Sequence, residues 1–375
     1  MTQHRIFFLI SEEHFIPHGG IGSFWRGFRR MSEHFGWRVT VIMDKPPKEA
    51  ALWMAHDSEN VTIAWPENPL CYEDHNPSDS RWKKEIPNTF KIENFKTALH
   101  DALSANDPTH ILINTPDAGR AVIELRLQEK YPTTFYTHHE NLVINPVPKS
   151  SIFGAEYMGM LVNIVGTAGI QTATQSHYNV ERMAHMSLSA PPIVLPMPIP
   201  DPELLEPYDG SREGVLFIGR HEPRKQPAVF ARKVVQAELP AKVLTNKNGE
   251  SKFRKTFEKH GVTDFEIRSQ ITGQEKADFI KSARIAFHPA KLESYGFSAM
   301  ETLAAGLPTL LIHEYGWWQA FIDDGVHITP IRDAHNVLLE LYECPLQAAP
   351  NYAAHREQQT FAIWERYLNA ERRPG

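Results

Sequence analysis

Cysteine is nearly absent from this chain. Cys71 and Cys344 are the two in 375 residues, they fall in different halves, and neither has a metal-like spacing around it. A disulfide framework and a cysteine metal cluster are excluded, and reduced thiols in a cytoplasmic protein are the expectation. Long apolar runs are missing as well. The opening Arg5-Ile-Phe-Phe-Leu-Ile10 breaks into Ser11-Glu12-Glu13, which suits a buried first strand and is far too short to cross a bilayer. No signal peptide and no transmembrane association are therefore expected. Positive charge is not in excess: 39 Lys and Arg stand against 45 Asp and Glu, a formal net charge of -6. No global positive field recruits nucleic acid or anionic lipid. There is no convincing Asp-x-Asp pair to ligate a metal, so none is expected, and no low-complexity tract.

What is present is the composition of an ordinary globular protein, 42% hydrophobic and 22% charged, in a chain long enough for two doubly wound domains. Short β-rich apolar runs alternate with helix-like segments, which predicts an α/β fold with parallel sheets. The expected strands of the first half are Ile6–Ile10, Arg38–Met43, Val61–Ala64, His110–Asn114, Thr134–Thr137 and Gln171–Ala173. Helices are expected over Ile21 to Phe35 and Ile92 to Leu103. The polar, proline-bearing stretch Pro66–Pro87 reads as an insertion or long loop. Six prolines in Pro191–Pro202 exclude helix and central strand and mark an inter-domain connector. A second α/β series follows: Gly214–Gly219, Ala241–Leu244, Phe265–Arg268, Ile285–His288 and Thr309–Ile312. The tail Ala354–Leu368 has helical spacing of Phe361, Trp364 and Leu368. The expected domains are residues 1–200, residues 201–350 and a terminal helix over 351–375.

Chemistry concentrates in the second series. Lys291-Leu-Glu293-Ser-Tyr-Gly296-Phe-Ser-Ala-Met-Glu301 follows the strand that ends at His288 and enters a helix. Its two carboxylates can face one ligand, and the backbone N–H groups of Tyr295, Gly296 and Phe297 sit at a helix N-terminus suited to a phosphate. An anion bracketed by polyols describes a nucleotide sugar. Upstream, Gly219-Arg220-His-Glu-Pro-Arg224-Lys225 ends another strand. Gly219 allows close backbone approach, and Arg220 and Lys225 bring two cations to the carboxyl end of a sheet, where open α/β folds bind ligands. Fixed cations there stabilise a departing diphosphate without a metal.

Gly-Arg-x4-Lys, then Glu-x7-Glu with Tyr-Gly-Phe inside and Ala-x-Gly-x-Pro after it, resembles the large retaining glycosyltransferase family 4. That resemblance implies the GT-B fold, two Rossmann-like domains facing across a cleft, and covers the C-terminal half well and the N-terminal half in layout only. It implies that Arg220 and Lys225 hold the donor diphosphate, that Glu293 holds hydroxyls of the donor sugar and that Glu301 holds the ribose. The Ile271-Thr-Gly273-Gln274 turn falls where such enzymes bind the base, and the helix near Trp364 would cross back to the first domain. The co-substrate would be a UDP-, GDP- or ADP-sugar with no permanently bound cofactor, transferred with retention of configuration.

In the first half, His18-Gly19-Gly20-Ile21-Gly22 lies where the family carries a glycine-rich loop, which brings Gly20 and Gly22 to the donor phosphate. As a dinucleotide fingerprint it is poor, because Trp25 replaces the third small residue, and a nicotinamide dehydrogenase is disfavoured. Thr137-His138-His139-Glu140-Asn141 ends another strand. The resemblance implies that one histidine reaches the donor sugar, His138 before His139. Asn114 and His139, with Arg26 and Arg29 of the first helix, are acceptor-side candidates. The strand ends Ile111–Pro116 and Phe135–His138 are also similar to phage DNA glucosyltransferases. On that reading the aromatic and basic helix Phe24–Arg30 contacts phosphates and wedges against the bases of hydroxymethylated duplex DNA; the same residues equally suit docking on an anionic membrane, or an amphipathic first helix with its cations in solvent. A transferase of cell-envelope saccharide or glycoside synthesis shares every donor residue. A protein that binds a nucleotide sugar without transferring it is the alternative from another class.

Overall fold

The computed structural model describes residues 4–12, 15, 20–47, 58–70, 87–136, 152–184, 186–293, 295–344 and 352–370. By its contacts the chain divides into two compact units, one drawn from Met1–Pro198 and Thr360–Gly375, the other from Ile199–Gln359.

The first unit holds a parallel seven-stranded sheet in the order β3-β2-β1-β4-β5-β6-β7. Its strands are β1 (Arg5–Leu9), β2 (Arg38–Ile42), β3 (Val61–Ala64), β4 (His110–Ile113), β5 (Thr133–Tyr136), β6 (Ile170–Thr174) and β7 (Ile193–Val194). The second unit holds a parallel six-stranded sheet, β10-β9-β8-β11-β12-β13. These strands are β8 (Val215–Ile218), β9 (Ala241–Thr245), β10 (Phe265–Ser269), β11 (Ile285–His288), β12 (Thr309–Ile312) and β13 (His327–Thr329). In chain order within each unit the first six strands read 3-2-1-4-5-6, the Rossmann order. The apolar runs explain why: β11 and β12 are buried along their whole length, as strands covered by helices on both faces must be.

Two sequence expectations change in detail. The proline stretch is not wholly a connector, because Ile193 and Val194 pair with Ala173 and Thr174 as an edge strand. Proline is tolerated there since an edge strand needs donors on one side only. The following residues are packed rather than solvated, with Leu195, Met197 and Ile199 at 1%, 0% and 1% exposure. Of the Pro66–Pro87 stretch, residues 71–86 lie outside the described residues.

The DNA-wedge reading of the first helix is overturned. The helix Gly20–Phe35 spaces Phe24, Phe28 and Met31 down one face at i, i+4 and i+7, and all three, with Trp25, are at 0% exposure. Phe24, Trp25 and Phe28 pack on Phe8 of β1, with centroids 4.9–5.9 Å away. Aromatic rings committed to the sheet cannot insert between bases. Arg29 pairs with Glu33 one turn on, at 3.5 Å, and Arg26 lies near the Ser23 hydroxyl at 3.5 Å.

The terminal helix Tyr352–Asn369 carries Phe361, Trp364 and Leu368 on one face, and all three are buried. From Thr360 onward it belongs to the first unit. Trp364 packs edge-on against Phe28, and its Nε1 donates to the Pro196 carbonyl at 2.8 Å. Among the described residues no helix is long and apolar enough to cross a membrane.

Candidate functional site

In the second unit the strand order reverses between β8 and β11, which are neighbours in the sheet although β9 and β10 intervene in the chain. Open α/β sheets bind ligands at the carboxyl ends of the strands on either side of such a switch point. The loops leaving β8 and β11 are stitched together there. Lys291 N donates to the Arg224 carbonyl at 2.7 Å. Gln226 Nε2 donates to the Pro289 carbonyl at 2.6 Å, and Trp317 Nε1 donates to the Ala290 carbonyl at 2.7 Å. Gln226 is a buried residue with φ of 56°. A non-glycine residue in the left-handed region is uncommon, and this one is held by its side-chain bond.

These loops bring Lys225 and Glu293 into a hydrogen-bonded ion pair, with side chains 13% and 9% exposed. A second pair lies on neighbouring segments. Lys276 Nζ reaches Glu301 Oε1 at 2.7 Å and Asp201 Oδ2 at 2.8 Å, and the three side chains are 13%, 5% and 7% exposed. Carboxylates this deeply buried are tolerated because each has a cation at hydrogen-bond distance. Behind them, His288 is fully buried and its imidazole is pushed down to about 3 by desolvation, with Lys225 adding to the shift. It is neutral at working pH and takes no part as an acid. Its Nε2 lies 3.3 Å from Thr302 Oγ1, which in turn is 3.0 Å from Thr309 Oγ1.

Gly296 shapes the backbone between the two glutamates. It caps the helix Phe297–Ala304 at φ 93°, and its carbonyl accepts from Ala299 N and Met300 N at 2.9 and 3.1 Å. A Cβ there would lie 2.8 Å from Trp317 Cζ3 and 3.1 Å from Phe321 Cε2. Glycine is required both by the dihedral and by the space.

The remaining expected residues divide. Gly219 ends β8 and lies against the Lys225 stem, 3.5 Å from Cδ to where its Cβ would be. Arg220 is not drawn into the buried pair; it is exposed and pairs with Glu222 at 3.0 Å. The Tyr295 ring is structural, 2% exposed, its hydroxyl accepting from Arg356 at 2.8 Å. Phe297 packs edge-on against that ring at 5.5 Å. Gly273, at φ 54°, opens the helix Gly273–Lys281 that carries Lys276. Sequence reasoning missed Lys276, Asp201, Gln226 and His288. A lysine three residues past the Gly273 turn was the one available signal.

In the first unit, Gly20 and Gly22 fall in the first turn of the helix Gly20–Phe35 rather than in a loop before it. His138 and His139 lie outside the described residues, as do His18 and Gly19. Asn114 follows β4 at the β1–β4 switch point, 2% exposed, and its Oδ1 has no hydrogen-bond partner. Beside it, the Ser11 hydroxyl donates to Thr115 Oγ1 at 3.3 Å. Asp44 Oδ1 accepts from Glu12 N at 2.7 Å, its Oδ2 is buried without a partner, and burial holds its carboxyl above the usual range. A groove of about 430 Å³ elsewhere in this unit is lined by helix residues such as Glu93, Arg120 and Asn163, and none of these is at a strand end.

Residues 207–349 match the model of the family described as glycosyl transferases group 1. That span contains every second-unit residue described above from Gly219 to Trp317. Among solved structures, the chain is similar to sucrose-phosphate synthase from Thermosynechococcus elongatus, with a TM-score of 0.72, 15% identity and 98% of each chain covered. It is also similar to Anabaena HepE in complex with UDP and glucose, at TM-score 0.69 and 12% identity over 98% of this chain and 99% of that one. A TarM variant from S. aureus, in complex with fondaparinux, α-GlcNAc-glycerol and UDP, gives TM-score 0.67 and 11% identity over 98% and 100%. No curated protein matches. The fold is GT-B.

Proposed function

We propose that this chain is a glycosyltransferase that moves a sugar from a nucleotide-diphosphate sugar to a hydroxyl of a saccharide-like acceptor. The observation that carries the reading is the pair of buried lysine–glutamate contacts, Lys225–Glu293 and Lys276–Glu301. The first joins the loops at a Rossmann switch point, and the two glutamates stand before and within the helix that begins at Phe297. Backbone N–H groups at that N-terminus suit a phosphate, the cations suit its partner phosphate, and the carboxylates accept from sugar and ribose hydroxyls.

On this reading Lys225, with Arg220 at the mouth, stabilises charge that grows on the diphosphate as the glycosidic bond breaks. Glu293 shares Lys225 with that diphosphate and accepts hydroxyls of the transferred sugar. The leaving phosphate takes the acceptor proton on the face it departs from. Configuration is then retained, and neither a protein nucleophile nor a resident metal is needed. A UDP-sugar is the donor to try first, because structures of the same fold hold UDP beside a sugar.

The acceptor reading rests on the first unit. The aromatics of its first helix, Phe24, Trp25 and Phe28, are spent on the core, and its buried oxygens at the β1, β2 and β4 ends, Asp44 Oδ2 and Asn114 Oδ1, await hydrogen-bond donors. Hydroxyls supply donors; phosphodiesters supply none.

The test is turnover of UDP-, GDP- and ADP-glucose with a panel of mono- and disaccharide acceptors, with product anomers assigned by NMR. Transfer with the donor's configuration supports the proposal in full. Stabilisation by a donor without transfer to any acceptor would leave a nucleotide-sugar-binding protein, and an inverted product would discard the front-face mechanism.

A further inference from the structure

Lys276 is a buried cation shared by two buried carboxylates. It stands on the helix Gly273–Lys281, and its ammonium is divided between two carboxylates from two other segments, Asp201 Oδ2 at 2.8 Å and Glu301 Oε1 at 2.7 Å. The arrangement is braced at both partners. Asp201 stands immediately before the short helical turn Pro202–Leu205, and the Glu203 carbonyl of that turn accepts from Lys281, five residues beyond Lys276 on the same helix. Glu301 sits within the buried helix Phe297–Ala304, every residue of which from Ser298 to Ala304 is buried.

The consequence for Glu301 is directional. Oε1 is held by Lys276, and among the described residues no hydrogen bond engages Oε2. A carboxylate gripped by one oxygen keeps its charge and presents the other oxygen at a fixed angle. That is what recognition of a vicinal diol needs, because both hydroxyls must donate to acceptors whose positions do not adapt. Released from Lys276, a carboxylate with 5% of its surface exposed would turn toward any donor it can reach, which spoils it as a fixed acceptor.

We infer that Lys276 is the positioning residue for Glu301, and that the Asp201–Lys276–Glu301 clamp gives the site its preference for a ribonucleotide over a deoxyribonucleotide donor. The inference rests on the reading of Glu301 as the ribose-binding carboxylate. Asp201 acts one step further back, by fixing where the ammonium stands.

The measurement is calorimetric affinity for UDP and for 2′-deoxy-UDP, with the ADP and GDP pairs run alongside, on the full chain. Wild type should favour the ribonucleotide about tenfold, the worth of one hydrogen bond to a charged group. Lys276→Met should bring that ratio within about twofold, Lys276→Arg should restore most of it, and Asp201→Asn should fall between. If Lys276→Met does not fold, Lys276→Met with Asp201→Asn removes the clamp while deleting one stranded charge. The inference is overturned if Lys276→Met weakens both nucleotides equally and leaves the ratio intact, since the lysine would then act on the phosphates. Glu301→Ala separates the two failures: a ratio lost there but kept in Lys276→Met condemns the clamp alone. A ratio unchanged in Glu301→Ala condemns the ribose reading, and the inference with it.

Discussion

Lys225 and Glu293 neutralise one another in a place where neither is solvated, so each substitution has two effects that must be separated. Lys225→Met removes charge stabilisation from the leaving diphosphate and also strands a buried carboxylate. The first effect should lower kcat by about a hundredfold or more while leaving the acceptor KM within about twofold. The second should lower the melting temperature. Adding Glu293→Gln should recover the melting temperature and leave kcat low, a pattern read from steady-state kinetics and thermal unfolding of the two variants. A kcat restored along with stability would remove Lys225 from the transition state. His288, just behind, gives a pH prediction. Its ordinary value is 6.5 and burial lowers it to about 3 in the folded chain. The unfolded chain therefore binds the extra proton between those values. The stabilisation is full above pH 6.5 and is lost as pH falls toward 3, by up to about 1.4 kcal/mol per pH unit. Urea unfolding at pH 7 and pH 5 should show wild type losing about 2 kcal/mol more than His288→Gln over that interval. Equal losses would mean the imidazole charges in place.

At the scale of elements, the fold was legible wherever burial on both faces made a strand a continuous apolar run. Val215–Ile218, Ile285–His288 and Thr309–Ile312 stand where their residues predict them. The edge strand Ile193–Val194 escaped because it is two residues long and flanked by prolines; its pairing is decided by packing on β6, which no local pattern records. The first helix is legible as amphipathic, but its mixed aromatic and basic residues Phe24–Arg30 suit a buried face as well as a nucleic-acid contact, and only packing on β1 decides for the buried face. The site divides the same way. Glu293, Gly296 and Glu301 announce themselves because their spacing is local to one loop and one helix start, and Lys225 because it follows Gly219 and Arg220 in a second short motif. Asp201 and Lys276 are 75 positions apart in the chain, and only the folded sheet makes them partners. Gly296 tests the element directly. Gly296→Ala forces a side chain into φ 93° and a Cβ to within 2.8 Å of Trp317. It should cost about 1–3 kcal/mol of stability and weaken UDP binding by turning the N–H groups of the helix start. Melting temperature and calorimetry read both. A variant of normal affinity would show that those N–H groups do not meet the nucleotide.

At the scale of the molecule, the two units share one strand order and differ in how the chain completes them. The second is drawn from one continuous stretch, Ile199–Gln359, whereas the first must recover its last piece, Thr360–Gly375, from the far end of the chain. What that piece supplies is a core component. Trp364 is 1% exposed, closes over Phe24 and Phe28 with centroids at 6.1 and 5.5 Å, and bonds Pro196. Tyr367 bonds Thr134 of β5, and Asn369 bonds His4 at 2.9 Å ahead of β1. The unit therefore cannot be complete until residues 360–369 have been made, and stability in the first sheet depends on residues that follow the second. Trp364→Ala should destabilise the first unit by about 3–5 kcal/mol, the usual cost of a large aromatic removed from a core. A chain ended after Gln359 loses Phe361, Trp364, Tyr367 and Leu368 together and should leave Phe24 and Phe28 open to solvent. Amide hydrogen exchange resolves the consequence by region. Protection should fall in β1, β4 and the helix Gly20–Phe35 while β8, β11 and β12 stay protected. Uniform loss across both sheets would show that the terminal helix stabilises the chain as one cooperative whole, and unchanged protection in β1 would show that it is an appendage to a sheet already complete.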